Sequence, residues 1–132
     1  MGFGTDAMIF DTDVFIWVQR GNRKAAALID GATERFLSVQ TLMELLQCAK
    51  NKEHQRITKK FLADFGFTVL PLTENIGHRA LVYVEEYGIS SGMRAGDAIV
   101  AATAVEYGMI LATSNSKHFR SVRDLDLQIL RP

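Results

Sequence analysis

The sequence is poor in the residues that hold together disulfide-rich or zinc-binding domains. Cys48 is the only cysteine, so an intramolecular disulfide is impossible and we expect a reducing, cytoplasmic environment. The three histidines, His54, His78 and His118, are scattered, and together with one cysteine they give no zinc-ligand spacing. These shortages exclude a disulfide scaffold and argue against a structural zinc site.

A charge excess of one sign and long apolar runs are also missing. Fifteen Lys and Arg residues balance fifteen Asp and Glu residues, so any contact with nucleic acid must be local. No apolar run approaches the roughly 20 residues that a membrane span needs, and we find no signal peptide. Because 48% of the residues are hydrophobic and no linker or repeat interrupts them, we predict a single domain over residues 1–132.

Short apolar strands alternate with helices along the chain. Strands are predicted at residues 7–10, 35–39, 67–70, 109–113 and 127–130, and helices at 13–19, 23–29, 41–50, 52–64, 73–87 and 95–107. Thr73 is expected to cap the helix that follows it, and Gly88 to terminate that helix. The alternation predicts an α/β three-layer sandwich with a central, mostly parallel five-stranded sheet.

The first strand ends in a carboxylate, and ligands of open α/β sheets bind beyond the carboxyl ends of central strands. Asp11 and Asp13 flank Thr12 at this point. One acid can cap the following helix while the other faces a site. We interpret Asp11 as the site residue and Asp13 as the cap.

Two further acids are candidates for the same site. Glu44 lies among apolar residues early in a helix, where an unpaired carboxylate is costly to bury, although it could instead point outward. Asp97 lies in the first turn of a helix of small apolar residues, where the helix dipole alone would favour an acid. The close packing that small residues permit suggests that Asp97 lies near the sheet edge.

A polar segment follows the fourth strand at residues 113–119. Thr113 and Asn115 are predicted to support the carboxylates by hydrogen bonds, while His118 could be a ligand, a phosphate contact or a surface residue. Three acids that meet at one sheet edge need a cation to stay ionised. Oxygen ligands of this kind suit Mg²⁺ or Mn²⁺, which can activate water for attack on a phosphodiester.

In four segments, in order, the chain resembles the PIN domain family, and more narrowly the ribonuclease toxins of VapBC-type toxin–antitoxin pairs. The segments are IFDTDVFI at 9–16, SVQTLMEL at 38–45, GDAIVAATA at 96–104 and ATSNSKHF at 112–119. The resemblance implies a PIN-like, Rossmann-like fold and a metal-dependent endoribonuclease with Asp11, Glu44 and Asp97 as its acidic, metal-binding core. It also implies a VapB-like antitoxin lying across the active-site groove.

Other residues receive supporting roles under this hypothesis. Thr12, with Thr113 and Asn115, would hydrogen-bond within the site, and Arg94 and Lys117 would hold flanking RNA phosphates. The resemblance also implies frequent homodimerisation. Apolar surface for a homodimer could come from Phe15, Trp17 and the helices at 52–65 and 73–87, although such side chains more commonly fill a core.

The sequence departs from the family pattern at His118, where many members carry another acid. A second metal ion would therefore be held weakly, and a catalytically weak module that binds RNA or an antitoxin is one alternative. A haloacid-dehalogenase-like phosphatase is the other, because Asp11-Thr12-Asp13 after a strand also resembles the opening motif of that family.

Overall fold

The computed structural model of the protein describes residues 7–132. We predicted no signal peptide. Part of that prediction concerns residues 1–6, which lie outside the described residues. None of the helices in the described part is long and apolar enough to span a membrane.

Five strands and seven helices alternate along these residues. The strands are β1 (Ala7–Phe10), β2 (Glu34–Ser38), β3 (Thr68–Leu70), β4 (Ile110–Thr113) and β5 (Leu127–Ile129). The helices are α1 (Thr12–Gln19), α2 (Arg23–Gly31), α3 (Val39–Cys48), α4 (Lys52–Asp64), α5 (Glu74–Ser91), α6 (Ala95–Tyr107) and α7 (Ser116–Phe119). The predicted α/β architecture is confirmed.

The strands form one sheet in the order β3-β2-β1-β4-β5, and all four pairings are parallel. The chain builds outward from β1 in one direction through β2 and β3, then returns to the other side of β1 with β4 and β5. The strand order therefore reverses between β1 and β4. This reversal is the position at which open parallel sheets form a crevice for ligands.

Helices cover both faces of the sheet because successive strand residues point to opposite faces. Ile9 and Leu111 belong to the hydrophobic cluster that α5 and α6 complete. Phe10 and Ala112 belong to the other cluster, with side chains of α1, α2 and α4. All four side chains are fully buried, which explains why these strands read as continuous apolar runs.

The predicted end of α5 is wrong, and one short helix was not predicted. The helix does not stop at Gly88 but continues to Ser91, and Gly92 ends it in the left-handed conformation with φ of +70°. A glycine inside a helix costs only about 1 kcal/mol, which packing of α5 on α6 outweighs. The polar segment after β4, for which we predicted no helix, contains the short helix α7, whose Phe119 is fully buried.

Candidate active site

Asp11 is positioned by both neighbours of the reversal point. It follows β1, its backbone N–H donates to the carbonyl of Ala112 in β4, and its side chain is only 8% exposed. Oδ1 accepts a hydrogen bond from the backbone N–H of Thr12 at 2.9 Å, and Oδ2 accepts one from Oγ1 of Thr113 at 2.9 Å. Asp11 is therefore the N-cap of α1 as well as a residue of the sheet edge.

Asp13 is not the helix cap that the sequence suggested. Its carboxylate accepts hydrogen bonds from both the backbone N–H and the hydroxyl of Ser114 and lies 3.3 Å from Oγ1 of Thr113. Asp13 thus holds the turn after β4 against the start of α1. The Asp-x-Asp spacing could have identified it as a site residue, because both acids lie beyond the same strand.

The electrostatic environment of Asp11 disfavours its charged form. Burial raises the pKa of Asp11 from 3.8 to about 7, and the nearby carboxylates of Asp13 and Asp97 act in the same direction. The hydrogen bonds from Thr113 and Thr12 oppose this shift. We expected from the sequence that acids at one edge of the sheet would repel one another. In the folded chain, Asp11 experiences this repulsion.

Glu44 points into the site and not outward. Its Oε1 accepts a hydrogen bond from Oγ1 of Thr12 at 2.7 Å, although the two residues are 32 positions apart. The helix that carries it also passes close to α6. A Cβ atom on Gly96 would lie 3.4 Å from Oε2 of Glu44 and 3.2 Å from Nε2 of Gln40. The glycine before Asp97 therefore leaves room for the Glu44 side chain.

Asp97 faces the segment after β4 and also stabilises its own helix. Oδ2 accepts a hydrogen bond from the backbone N–H of Arg94 at 3.1 Å, so the helix-terminus explanation is correct in part. The same oxygen lies 2.9 Å from Nδ1 of His118. That ring nitrogen is in turn 2.8 Å from Nδ2 of Asn115. His118 is therefore a direct neighbour of the acidic site.

A single cavity of about 330 Å³ connects these groups. The cavity is lined by Asp11, Thr12, Asp13, Ile16, Trp17, Arg20, Glu44, Asp97 and Asn115. Arg94 and Lys117, which we predicted as phosphate contacts, are exposed but do not line it. Arg20 and Trp17, which we did not predict as site residues, do line it.

The carboxylates share this cavity without forming a ready-made metal cage. Within residues 7–132, no three His, Cys, Asp or Glu side chains stand close enough together to hold a metal ion. Each carboxylate is instead turned toward a protein donor, as described for Thr12, Thr113 and His118. The chemistry of the donor set nevertheless fits a hard cation, because it consists of oxygens and a nearby positive charge would offset the repulsion that Asp11 experiences.

A parallel α/β domain with an acid beyond β1, another in the middle of α3 and a third in the first turn of α6 defines the class of protein. Comparison with protein-family models matches residues 8–125 to the PIN domain. The chain belongs to the PIN domain family. This membership does not support the phosphatase alternative that the Asp11-Thr12-Asp13 motif raised.

Solved structures with the same fold come from toxin–antitoxin complexes. A chain of a toxin–antitoxin complex from Klebsiella pneumoniae is 26% identical, with a TM-score of 0.77 over 90% of this chain and 95% of that chain. A chain of VapBC-1 from nontypeable Haemophilus influenzae is 22% identical, with a TM-score of 0.78 over 93% and 97%. A chain of VapBC2 from Rickettsia felis, bound to a promoter DNA fragment, is 16% identical, with a TM-score of 0.77 over 95% and 99%. Comparison with curated proteins gives no significant match.

Proposed function

We propose that the protein is a Mg²⁺- or Mn²⁺-dependent endoribonuclease that acts as the toxin of a VapBC-type toxin–antitoxin pair. The observation that carries the proposal is the convergence of Asp11, Glu44 and Asp97 on one cavity at the strand-order reversal. The likeness to chains of toxin–antitoxin complexes supports the second half of it.

The three acids would hold the cation, which supplies Lewis acidity and activates a water molecule for attack on an RNA phosphodiester. Thr12 orients Glu44, and Thr113 orients Asp11, through the hydrogen bonds that their hydroxyl groups donate. Such bonds fix carboxylate rotamers and reduce the motion needed when substrate arrives. Asn115, at the cavity wall, would act with His118 to position Asp97.

Cleavage of RNA is expected to depend on the divalent cation and on each acid. Asp97→Asn and Glu44→Gln should each lower the cleavage rate at least about a hundredfold, because a ligand charge worth several kcal/mol of transition-state stabilisation is lost. Gel analysis of a structured RNA, with Mg²⁺, Mn²⁺ or EDTA, measures this. Asp30→Asn, at an exposed acid of α2, is the matched control and should cut normally.

Equal background cleavage by the wild-type protein and both site variants would contradict the nuclease proposal. That result, combined with RNA binding, would favour the catalytically weak binding module. The contact between His118 and Asp97 is the specific feature that would then explain the weak activity.

The space that Gly96 leaves for Glu44 gives a second test. Gly96→Ala should lower cleavage about ten- to a hundredfold, because a displacement of a catalytic group by a fraction of an ångström to 1 Å has effects of that order. Folding stability should change by no more than about 1 kcal/mol, since alanine favours the helix and the neighbouring atoms are side-chain ends. Rate measurements and thermal unfolding separate the two effects.

Gly77 provides the matched control for this substitution. It also lies inside a helix, and a Cβ atom there would meet nothing within 4 Å. Gly77→Ala should therefore stabilise α5 slightly and leave cleavage unchanged. A Gly96→Ala protein that cuts RNA at the wild-type rate would show that Glu44 does not need this close approach.

The proposed antitoxin would lie across the active-site groove, and an apolar surface beside that groove would receive part of it. Such a surface is a cavity of about 220 Å³ between α1, α3 and α4, with Val18, Leu45, Ile57 and Phe61 among its lining residues. Ile57 is 53% exposed, so its side chain is accessible to a partner. A short amphipathic helix of the antitoxin would suit this groove, with its apolar face turned toward these side chains.

Ile57→Glu is expected to weaken the antitoxin complex at least about tenfold, because a charge would be buried against apolar side chains. The measurement is co-purification and calorimetric titration with the product of the reading frame adjacent to this gene. Cleavage of RNA by the free Ile57→Glu protein should be unchanged, since Ile57 does not line the acidic cavity. An unaffected complex would place the antitoxin on another surface.

Homodimerisation also remains a proposal. Of the two alternatives that we gave for Phe15, the core applies, because Phe15 is only 3% exposed and cannot contribute to a dimer surface. The helix α5 offers better surface, with Leu81 at 62%, Val82 at 45% and Ile89 fully exposed. A twofold dimer through α5 would cover these side chains.

A further inference from the structure

One wall of the acidic cavity, formed by α1, carries apolar and cationic side chains beside a single acid. The α1 residues Asp13, Ile16 and Trp17 and the C-cap residue Arg20 lie at positions i, i+3, i+4 and i+7, and all four line the cavity. These positions form a single stripe about 10 Å long on the helix. The stripe therefore leads from the carboxylates to an aromatic ring and a guanidinium group.

Trp17 and Arg20 contact each other. The guanidinium carbon of Arg20 lies 5.5 Å from the centroid of the Trp17 ring, within the range of a cation–π interaction. Trp17 is half-buried and packs against the hydrophobic core, so its ring is held in place, whereas Arg20 is exposed. Arg20 makes no salt bridge with any residue between 7 and 132.

The charge of the cavity gives Arg20 a role. Four carboxylates line the cavity, and Arg20 is the only cationic side chain among its described lining residues. An RNA phosphate entering there meets strong repulsion from Asp11, Asp13 and their neighbours except on the side of α1. A strand that approaches along α1 is guided by the one positive group and meets the Trp17 ring first.

We propose that Trp17 and Arg20 form a stacking platform that holds a nucleobase of single-stranded RNA next to the scissile phosphate. This inference rests on the proposed nuclease function. Unpaired bases stack on aromatic rings and on guanidinium planes, and such stacking is tolerant of sequence. The platform therefore selects single-stranded over paired RNA at the nucleotide beside the acids.

A base fits this wall better than an apolar protein segment does. The neighbouring cavity between α1, α3 and α4 is lined mainly by apolar side chains and has no carboxylate, whereas this one combines carboxylates, Thr12 and Asn115 with one ring and one cation. A ligand that satisfies both parts needs a flat π surface joined to an anionic group. A nucleotide has both.

Trp17 is the only tryptophan in the sequence, so its fluorescence reports on the platform alone. The probe is hexa-adenylate mixed with wild-type protein in Mg²⁺ in a stopped-flow instrument and read before hydrolysis. We expect saturable quenching, and none with an abasic hexamer of the same charge. Equal quenching by the abasic strand, or none by hexa-adenylate, would overturn the proposal. Quenching only by the antitoxin would identify a protein-docking surface.

Steady-state cleavage of single-stranded RNA tests the same residue by a different readout. Trp17→Leu should raise KM about tenfold, the size expected for loss of one stack, with kcat changed by less than about twofold. Trp17→Phe should fall between Trp17→Leu and wild type. Phe65→Leu is the matched control, because Arg35 lies 5.6 Å over the Phe65 ring in a similar pair that lines none of these cavities.

Variants at exposed Arg20 keep the test valid if Trp17→Leu folds poorly. Arg20→Lys keeps the charge without the guanidinium group, and Arg20→Gln removes both the charge and the guanidinium group. We expect KM to rise about threefold for Arg20→Lys and about tenfold for Arg20→Gln, with thermal unfolding unchanged. Wild-type KM in both would refute the platform while leaving the nuclease intact. A wild-type protein that cuts no RNA would refute the nuclease itself, whatever the fluorescence shows.

Discussion

Asp11→Asn should give a protein that is more stable at pH 8 and inactive as a nuclease. The pKa of Asp11 in the folded chain is raised from 3.8 to about 7. Between pH 3.8 and about 7 this carboxyl group is ionised in the unfolded chain but still protonated in the folded chain. The free energy of unfolding therefore falls as pH rises through this range. Asparagine has no proton to lose, so the variant should gain up to about 4 kcal/mol above pH 7 and nothing near pH 3.

The hydrogen bonds around Asp11 are compatible with the substitution by asparagine. The Oδ1 atom of asparagine can still accept from the backbone N–H of Thr12 and cap α1. Its amide nitrogen can donate to Oγ1 of Thr113, whose proton then turns to Asp13, 3.3 Å away. Urea unfolding at pH 4, 6 and 8 measures the gain. A variant less stable than wild type at pH 8 would contradict the unfavourable environment assigned to Asp11.

The divalent cation should narrow the difference in stability between wild-type protein and Asp11→Asn at pH 8. A ligand that binds the folded state at a hundred times its Kd stabilises it by about 2.7 kcal/mol. Wild-type protein should gain this amount in Mg²⁺ or Mn²⁺, while Asp11→Asn should gain far less, and the loss of RNA cleavage should follow the loss of binding. Asp30→Asn should respond to the cation as wild type does. Equal stabilisation of all three proteins would mean that the cation binds elsewhere.

The sequence identified the edge of the sheet that carries the site but could not assign each acid. Asp11 and Asp13 flank Thr12, and either could cap α1 by local geometry alone. Their roles depend on Thr113 and Ser114, about 100 residues away, which bond Asp11 and Asp13 respectively. Contacts of that separation have no local signature, so the strand ends were predictable and the division of roles was not.

The same limit applied to Glu44, Gly88 and Arg20. From the helical periodicity alone, the Glu44 side chain could equally well face outward. Its direction depends on the hydrogen bond from the hydroxyl group of Thr12, which is distant in the sequence. Gly88 is a common helix terminator, yet here the helix continues because α5 packs along α6 over most of its length. Arg20 stands three residues after Trp17, a spacing that indicates contact once α1 is known, but not which cavity the pair faces.

Thr113→Val should destabilise the fold and should do so more strongly at high pH. Thr113 is fully buried, and its hydroxyl donates to Asp11 and accepts from the backbone N–H of Asn115 at 3.0 Å. Loss of a donor costs about 1.5–3 kcal/mol when the acceptor is charged and about 0.5–1.5 kcal/mol when it is neutral. With the pKa of Asp11 at about 7, the larger cost applies at pH 8 and the smaller at pH 5.

Thr41 offers a control of matched chemistry. It is also fully buried, but its hydroxyl has no hydrogen-bond partner among residues 7–132. Thr41→Val removes an unpaired polar group without changing the volume, so stability should stay constant or rise by up to about 1 kcal/mol at both pH values. Denaturant midpoints of the two variants at pH 5 and pH 8 provide the comparison. If Thr113→Val lost the same stability at both pH values, the contribution of the hydroxyl group would be independent of the charge on Asp11. Thr113 would then support the acidic site through packing alone.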